Sequence, residues 1–474
     1  MIVETFLKQL MSESNIAQNK FSDNTVARLT HNAKINELAK SITAAKKLAL
    51  TIFHMYKETE EFKDSTIIPP NAVSRKYYEY RFDLSLFPNI SIREIKNLDK
   101  VGLTFDPASV MICGIPTAAL SIDLQVLFTS SQENNQVEDI KVIPFIVNAD
   151  PKDLWLNKPS NKNDLFAKDD SDRYAGPFLD KQIVVASQRG RSHAHEGTFR
   201  DDHFCVRKLP LEWEIIAVAD GAGSAKFSRQ GSKIATEYIA ESFSDELLLK
   251  ELDEQCTHFF CPEAVATPGN NQETGSPGED PRIKIKSSII NILYKNVRSL
   301  HTALADFAGK EEIQLKDLNT TLIFALLKKF DFGYVVLTFG VGDCPINIIT
   351  ENPDDIRLLN MLDIGDFGGG TRFVTMPEIF SHTNMASRFG INKFERFSKL
   401  ILMTDGIYDP KFVTENKLED KEAWANFLDD LNGQNEDALK VDFLHNENIQ
   451  DQLLLWLNFW SKGNHDDRTL AIIY

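Results

Sequence analysis

An α+β chain is predicted by three features of the sequence. Apolar residues recur at three- and four-residue steps from Thr5 to about Tyr56, short β runs follow Pro69-Pro70, and in the C-terminal half apolar strand-like runs alternate with helical patterns. The 474 residues suffice for two to four domains of ~100–200 residues each. With 52 Lys and Arg against 69 Asp and Glu, the formal charge of −17 argues against a nucleic-acid partner, because no stretch of clustered Lys and Arg is present to meet a phosphate backbone. A membrane span is not expected either. No uninterrupted apolar run approaches the ~18 residues it needs, and even Thr321–Leu327 is closed by Lys328 and Lys329. Five cysteines form an odd set, and the Met-Ile-Val-Glu start lacks the zones of a secretory signal, so a reducing, cytoplasmic setting is expected. Cys256 and Cys261 flank His258, but no second pair completes a zinc site, and the cysteines read as small core residues.

Residues 1–62 form the first segment, in which Ile35, Leu38, Ile42, Ala45 and Leu48 set a helical period that resembles a helical hairpin. Residues 63–149 form a small β domain, with strands expected at Tyr78–Leu84, Val110–Cys113, Leu120–Phe128 and Ile140–Val147. Within it, Gly102–Phe128 resembles Ig-like repeats of bacterial proteins, in which a Gly-x-Pro-Thr turn joins two strands. That resemblance implies a small β-sandwich used as a spacer or contact surface and supplies no active site. Residues 150–178, rich in Asn, Asp and Lys, are expected to be a linker. The last domain, 179–474, carries a Pro/Gly/Asn/Glu-rich stretch near 262–282 that cannot build a packed core and is expected to be a mobile insertion.

Carboxylates recur at strand ends in this last domain. Ile215–Ala219 stops at Asp220-Gly221, and Leu400–Met403 stops at Thr404-Asp405-Gly406. Tyr334–Phe339 leads into Gly340-Val341-Gly342-Asp343, while Asp201-Asp202 and Asp466-Asp467 precede the runs Phe204–Val206 and Thr469–Tyr474. Any one of these reads as a turn. Hairpin turns, however, give no reason for buried-type strands to end repeatedly in Asp rather than Asn or Ser. If such groups converge, two carboxylates ~4 Å apart repel by ~4 kcal/mol at an effective dielectric of 20. A hard dication cancels that penalty, and an all-oxygen donor set suits Mg²⁺ or Mn²⁺ better than zinc. Glycine after Asp220 lets the backbone carbonyl approach as a further ligand.

In chain order, the blocks "SQRGRSHAHEGTFRDDHF" (Ser187–Phe204), "VADGAGSAKFSRQGSKIA" (Val218–Ala235), "NTTLIFALL" (Asn319–Leu327), "FGVGDCPI" (Phe339–Ile346), "ILMTDGIYD" (Ile401–Asp409) and "HDDRTLAII" (His465–Ile473) resemble the metal-dependent protein phosphatases of type 2C, in their divergent bacterial branch. The resemblance implies a four-layer α-β-β-α sandwich with two central antiparallel sheets, and helical patterns at Arg229–Leu248, Ile289–Phe307 and Ile449–Trp460 fit its outer layers. It implies that Asp220 bridges two ions, with Asp405 and Asp466 completing one site and the Gly221 carbonyl the other. Asp201 and Asp202 hold the second ion or its waters, and Asp343 matches the position of a third, weaker one. The implied activity is hydrolysis of phosphoserine or phosphothreonine in proteins by a metal-activated water, with no phosphoenzyme and with a cognate kinase as a partner in signalling.

The chain also departs from the pattern. Many relatives carry His just after the Asp-Gly, where this chain has Ala222, so His193 is the candidate proton donor. Arg189 is the candidate phosphate ligand, with Arg191 and Arg200 as competitors. The stretch "GDFGGGTRFVT" (Gly365–Thr375) reads as a flexible flap against the substrate. Ala222 and the contested arginine leave a second reading open, a catalytically silent regulatory module. A third, a hydrolase of small phosphoesters, differs only in substrate.

Overall fold

In the computed structural model, which describes residues 2–130, 138–262, 281–363, 370–381, 385–445 and 447–474, the chain divides into two units, Met1–Leu154 and Trp155–Tyr474. The first begins with three helices rather than a hairpin: α1 (Ile2–Glu13), α2 (Lys20–Leu29) and α3 (Ala33–Asp64). The breaks follow from local chemistry, because the Asn19 and Asn32 side chains each accept from the first-turn amides that follow and start a new helix. Val3, Leu7, Val26 and Ala39 join the three in a small core.

Seven strands follow, β1 (Ala72–Val73), β2 (Tyr78–Arg81), β3 (Ile90–Lys96), β4 (Leu103–Asp106), β5 (Met111–Gly114), β6 (Ser121–Ser130) and β7 (Asp139–Asn148). They form a four-stranded sheet ordered β1-β7-β6-β3, with β1 parallel to β7, and a three-stranded sheet ordered β2-β5-β4. Both sheets contribute to one core with Phe62 of α3. The Gly114-Ile115-Pro116-Thr117 turn thus connects strands of different sheets. Lys141 of β7 is buried and donates from Nζ to the carbonyls of Phe62, Lys63 and Ser65, so a cation satisfies the open carbonyls at the α3 C-terminus.

The second unit contains β8 (Ser171–Phe178), β9 (Lys181–Gln188), α4 (Arg191–Glu196), β10 (His203–Lys208), β11 (Glu214–Ala219), α5 (Ser228–Ser242), α6 (Glu246–Phe260), α7 (Pro281–Lys310), β12 (Leu322–Phe330), β13 (Gly333–Val341), β14 (Ile346–Thr350), β15 (Ile356–Leu358), α8 (Glu378–Ser381), β16 (Phe389–Phe394), β17 (Phe397–Met403), α9 (Asp405–Phe412), α10 (Lys421–Leu431), α11 (Ile449–Trp456) and β18 (Arg468–Ile473). Residues 171–178, expected in a linker, form a strand: polar on much of its length, β8 lies at a sheet edge beside β9, where such residues face water. Most of the stretch near 262–282 lies outside the described residues.

Two antiparallel sheets result, ordered β10-β11-β12-β13-β16 and β15-β14-β17-β18-β9-β8. Every side chain of β11 is buried, because alternate residues serve different cores. Ile216 and Val218 share a core with Val185, Leu402 and Ala471 of the six-stranded sheet. Ile215 and Ala217 face the other way, toward Ile239 of α5, Leu252 of α6 and Leu293 of α7. On the far side, Ile401 and Ile472 pack with Tyr408 of α9, Trp424 of α10 and Trp456 of α11. Among the described residues no helix is long and apolar enough to cross a membrane.

The register then places the functional positions. His203 pairs with Ala219 and Leu322 with Val341 in one sheet, while Met403 pairs with Leu470 and Gln188 with Arg468 in the other. The ends of β9, β11, β13 and β17 therefore share an edge with the starts of β10, β12 and β18. Phe324, fully buried between Phe339 and Phe243 at ring-centroid distances of 5.5 and 5.8 Å, anchors the sheet behind that edge. Phe324→Ala is expected to destabilise the second unit by about 3–5 kcal/mol, read as a lowered midpoint in denaturant titration.

Candidate metal centre

Each carboxylate reaches the shared edge by its own local device. Asp220 follows β11 directly; its N–H donates to Thr321 Oγ1 at 2.9 Å, and its carbonyl accepts from Thr320 Oγ1 and the Thr321 N–H, both at 2.8 Å. A Cβ on Gly221 would lie 2.8 Å from the Asp201 carbonyl oxygen and 2.9 Å from its Cβ, so only glycine lets the Asp220 turn close on the acidic pair. Gly342 holds φ at +105°, and the turn is braced by Asp363, which accepts from the Gly342 N–H at 2.9 Å and from both terminal nitrogens of Arg388 at 2.7 and 2.8 Å. Asp343 leaves that turn. Asp405 opens α9, which carries Asp409 one turn later on the same face.

Asp202 is buried at the junction of the two sheets. Its Oδ2 accepts from Thr404 Oγ1 at 2.8 Å and from Thr469 Oγ1 at 2.7 Å, and Ser187 donates to Thr469 in turn at 2.7 Å. The nearby Lys168 ammonium does not pair with this carboxylate, since it donates to the Asp202 backbone carbonyl at 2.6 Å. Asp467 is buried beside the pair: Oδ1 accepts from the Gly190 N–H at 2.6 Å, and Oδ2 accepts from the N–H groups of Asp201 and Asp202.

The electrostatics show that these groups converge. Burial pushes the Asp202 carboxyl up to about 7 and that of Asp201 to about 6, helped in both by the Asp467 charge. Asp220 and Asp405 are pushed well above the usual carboxylate range, first by burial, then by neighbouring acids: Asp405, Asp202 and Asp466 act on Asp220, and Asp466, Asp343 and Asp202 on Asp405. Asp343 and Asp409 are also raised, chiefly by burial. Asp466 goes the other way, because burial is outweighed by its bond to His193 and by the Asp467 N–H. His193 Nε2 lies 3.4 Å from Asp466 Oδ1 and 4.0 Å from oxygens of Asp201 and Asp467. Burial disfavours its charge, but those acids win and hold the imidazole at about 10.

At this edge three carboxylate oxygens of the described residues, Oδ1 of Asp202, Asp343 and Asp405, are buried without a hydrogen-bond partner. Unpaired buried acceptors are costly, and hard oxygens without donors are the ligands that a divalent cation such as Mg²⁺ takes. The residues present therefore fit such an ion. Asp220 and Asp343 also bring oxygens within 4.8 Å of one another and of Cys344 Sγ, and His193, Asp466 and Asp467 do likewise. Cys344 packs in the core between the sheets, with its thiol pushed well up by burial.

The structure places Arg189 among protein partners. Its guanidinium is consumed by the Thr198 and Lys158 carbonyls, Asn157 Oδ1 and Asp170, because the segment before β8 folds over it. Arg191 is likewise spent on the carbonyls of Asn458 and Phe459. Arg200 is only 2% exposed and donates to the Asp169 carbonyl. Of the glycine-rich stretch, residues 365–369 lie outside the described residues, while Thr371 donates to Asp343 Oδ2 at 2.8 Å. Asp467 and Asp409 were missed as site residues. The i, i+4 spacing of Asp405 and Asp409 within "TDGIYD" was the available signal for the latter.

The family model described as protein phosphatase 2C matches residues 189–457. No curated protein matches the chain. Among solved structures, the chain is similar to the serine/threonine phosphatase Stp1 from Staphylococcus aureus, at 16% identity over 63% of this chain and 95% of that one, with a TM-score of 0.35. The S. agalactiae serine/threonine phosphatase gives 14% identity over 64% and 99% of the two chains, with a TM-score of 0.35. RsbX in complex with magnesium gives 13% identity over 64% and 100%, with a TM-score of 0.32.

The raised carboxyls set a pH dependence. Asp202 titrates at about 7 in the fold and at ~3.9 in an unfolded chain, so in metal-free protein its stabilising contribution is full below about pH 4 and lost as pH rises toward 7. Asp202→Asn is expected to flatten that decline in thermal melts. Because an ion must displace the bound proton, Mn²⁺ affinity of the unmutated chain is expected to rise over the same window, by up to about tenfold per pH unit per proton released, measured by calorimetry.

Proposed function

The chain belongs to the protein phosphatase 2C family, and we propose that within it this protein is a Mg²⁺- or Mn²⁺-dependent hydrolase of phosphoserine and phosphothreonine in proteins. The observation that carries this reading is the convergence of buried and half-buried carboxylates, three of whose oxygens are buried without a partner, at the joined edges of two sheets. Asp220, Asp405, Asp466 and the Gly221 carbonyl would hold two ions with Asp201 and Asp202, and Asp343 a third. Bound there, the ions supply Lewis-acid charge to the attacking water and the phosphate.

The chain's own residues do the rest. Thr404 and Thr469 fix Asp202 Oδ2 and leave its Oδ1 directed to a ligand. Asp467 gathers the backbone of the acidic pair from the neighbouring strand start, and so holds Asp201 and Asp202 in place without an arginine. His193, kept protonated by the surrounding acids, would give its Nε2 proton to the leaving oxygen, the role that Ala222 cannot fill. No thiol nucleophile is needed, and Cys344 stays protonated in the core.

The same reading takes the second unit as a four-layer α-β-β-α sandwich that starts near Trp155, and the paired sheets of the first unit as an Ig-like contact domain. It also expects a cytoplasmic setting with a cognate protein kinase. Purified protein with Mn²⁺ should hydrolyse an aryl phosphate and a phosphothreonine peptide, and Asp220→Asn should lower both rates by at least about a hundredfold. Turnover of the aryl phosphate alone would indicate a small-molecule phosphoesterase. Tight metal binding with no turnover of either would indicate a silent module and overturn the proposal.

A further inference from the structure

Beside the acidic pair lies a cavity of about 240 Å³ that none of the metal-centre carboxylates lines. It is enclosed by the segment before β8, the start of β8 itself, the start of β10 and the first turns of α5. Arg200 and His203 both line it, while between them the Asp202 carboxylate is held by the Thr404 and Thr469 hydroxyls. Its charge is opposite to that of the metal centre. Lys168, Arg200, Arg229 and Lys233 line it against Asp169 and Asp172. Asp169 is already met by Lys162 at 3.2 Å, which leaves Asp172, 3.9 Å from Arg200, to face the four cations.

The hydrogen bonds of two of these cations go to neutral oxygens, which orient a charge without cancelling it. Lys168 Nζ donates to the Asp202 carbonyl, and the three guanidinium nitrogens of Arg229 donate to the carbonyls of Phe166, Lys226 and Leu165, with Asp164 no nearer than 4.0 Å. Two further features point to an anion. The first is the N-terminus of the fifteen-residue helix α5, which lines the cavity through Arg229, Gln230 and Lys233 and whose N-cap residue, Phe227, offers no side-chain acceptor to the first-turn amides. The second is Arg200, only 2% exposed: its Nε donates to the Asp169 carbonyl, but its Nη1 is buried with no acceptor among the described residues. A buried charged donor without a partner is costly, and an oxyanion in the cavity supplies the missing acceptor. The mixed set of Arg and Lys suits a phosphate group, whose several oxygens take the forked and the point-like donor together.

We propose that this cavity is a second anion site, which holds a phosphate group on Arg200 and Lys233 at the start of α5, with the charges of Lys168 and Arg229 beside them. It is separate from the phosphate that metal ions would engage at the carboxylate edge.

Titration calorimetry with inorganic phosphate on the full, metal-free chain tests this, because without divalent ions the carboxylate edge repels phosphate and the cavity alone attracts it. Saturable one-to-one binding is expected. Lys233→Glu, at an exposed position, should weaken it by about tenfold or more, whereas Lys250→Glu, exposed on α6 and outside the cavity, should leave it unchanged. Arg200→Gln should abolish it; circular dichroism checks that this buried variant folds, and the Lys233 variant decides the matter if it does not. A phosphothreonine peptide titrated beside inorganic phosphate identifies the source. Tighter binding of the peptide assigns the site to a phosphorylated protein, and equal or weaker binding assigns it to the free ion. The absence of saturable binding of either, or binding that Lys233→Glu leaves unchanged, overturns the proposal. No turnover is measured, so that failure leaves the phosphatase reading standing.

Discussion

The second unit depends on one electrostatic constraint: carboxylates from two different sheets converge, buried or half-buried, without enough cations to neutralise them. At ~4 Å and an effective dielectric of 20 a single such pair repels by ~4 kcal/mol. Lysine and arginine relieve this only in part, acting on the carboxylates without a direct salt bridge to Asp201 or Asp202. Lys168, half-buried beside Asp202, donates to a backbone carbonyl, and Arg189 and Arg200 are turned toward the segment that precedes and begins β8. Partial relief comes from the His193 imidazolium beside Asp466 and from weaker neutral donors, the Thr404 and Thr469 hydroxyls and three backbone N–H groups on Asp467. These orient the carboxylates and leave their charge to be met from outside.

Such an arrangement survives only on a scaffold that cannot yield. The two sheets share a core, and helices cover each outer face, so a strand end cannot retreat without opening buried aliphatic and aromatic contacts. Antiparallel pairing adds a second restraint. Because the starts and ends of neighbouring strands are locked in register, Asp202, Asp220, Asp343, Asp405 and Asp466 are held at one edge by hydrogen bonds many residues away from it. The close approach at Gly221 and the left-handed turn at Gly342 then set the last few ångströms.

Strand-end aspartates were legible because the signal is local: an apolar run of both-faces-buried type followed by Asp-Gly states where the strand stops and what stands there. Asp467 was overlooked for the opposite reason. It is adjacent to Asp466 and chemically identical to it, and only the path of Gly190 and the Asp201 backbone decides that Asp467 turns inward to amides while Asp466 faces His193. The engagement of Arg189 was hidden on the same ground. Its partners Asn157, Lys158 and Asp170 belong to a span that composition alone describes as exposed, and that composition is also what an edge strand such as β8 carries.

The amino-acid order by itself determined the strands that lead into the site, the residues that end them and the preference of those residues for a hard cation, because periodicity, turn chemistry and donor type are properties of neighbours along the chain. Which carboxylates are left without a partner, which arginines are already engaged, and where the N-terminal helical pattern is cut were decided by contacts between residues distant in sequence or by a single capping side chain. Burial, not composition, made the difference. A charge is tolerated in water almost anywhere, but inside a packed edge its state depends on every group that the fold brings within a few ångströms.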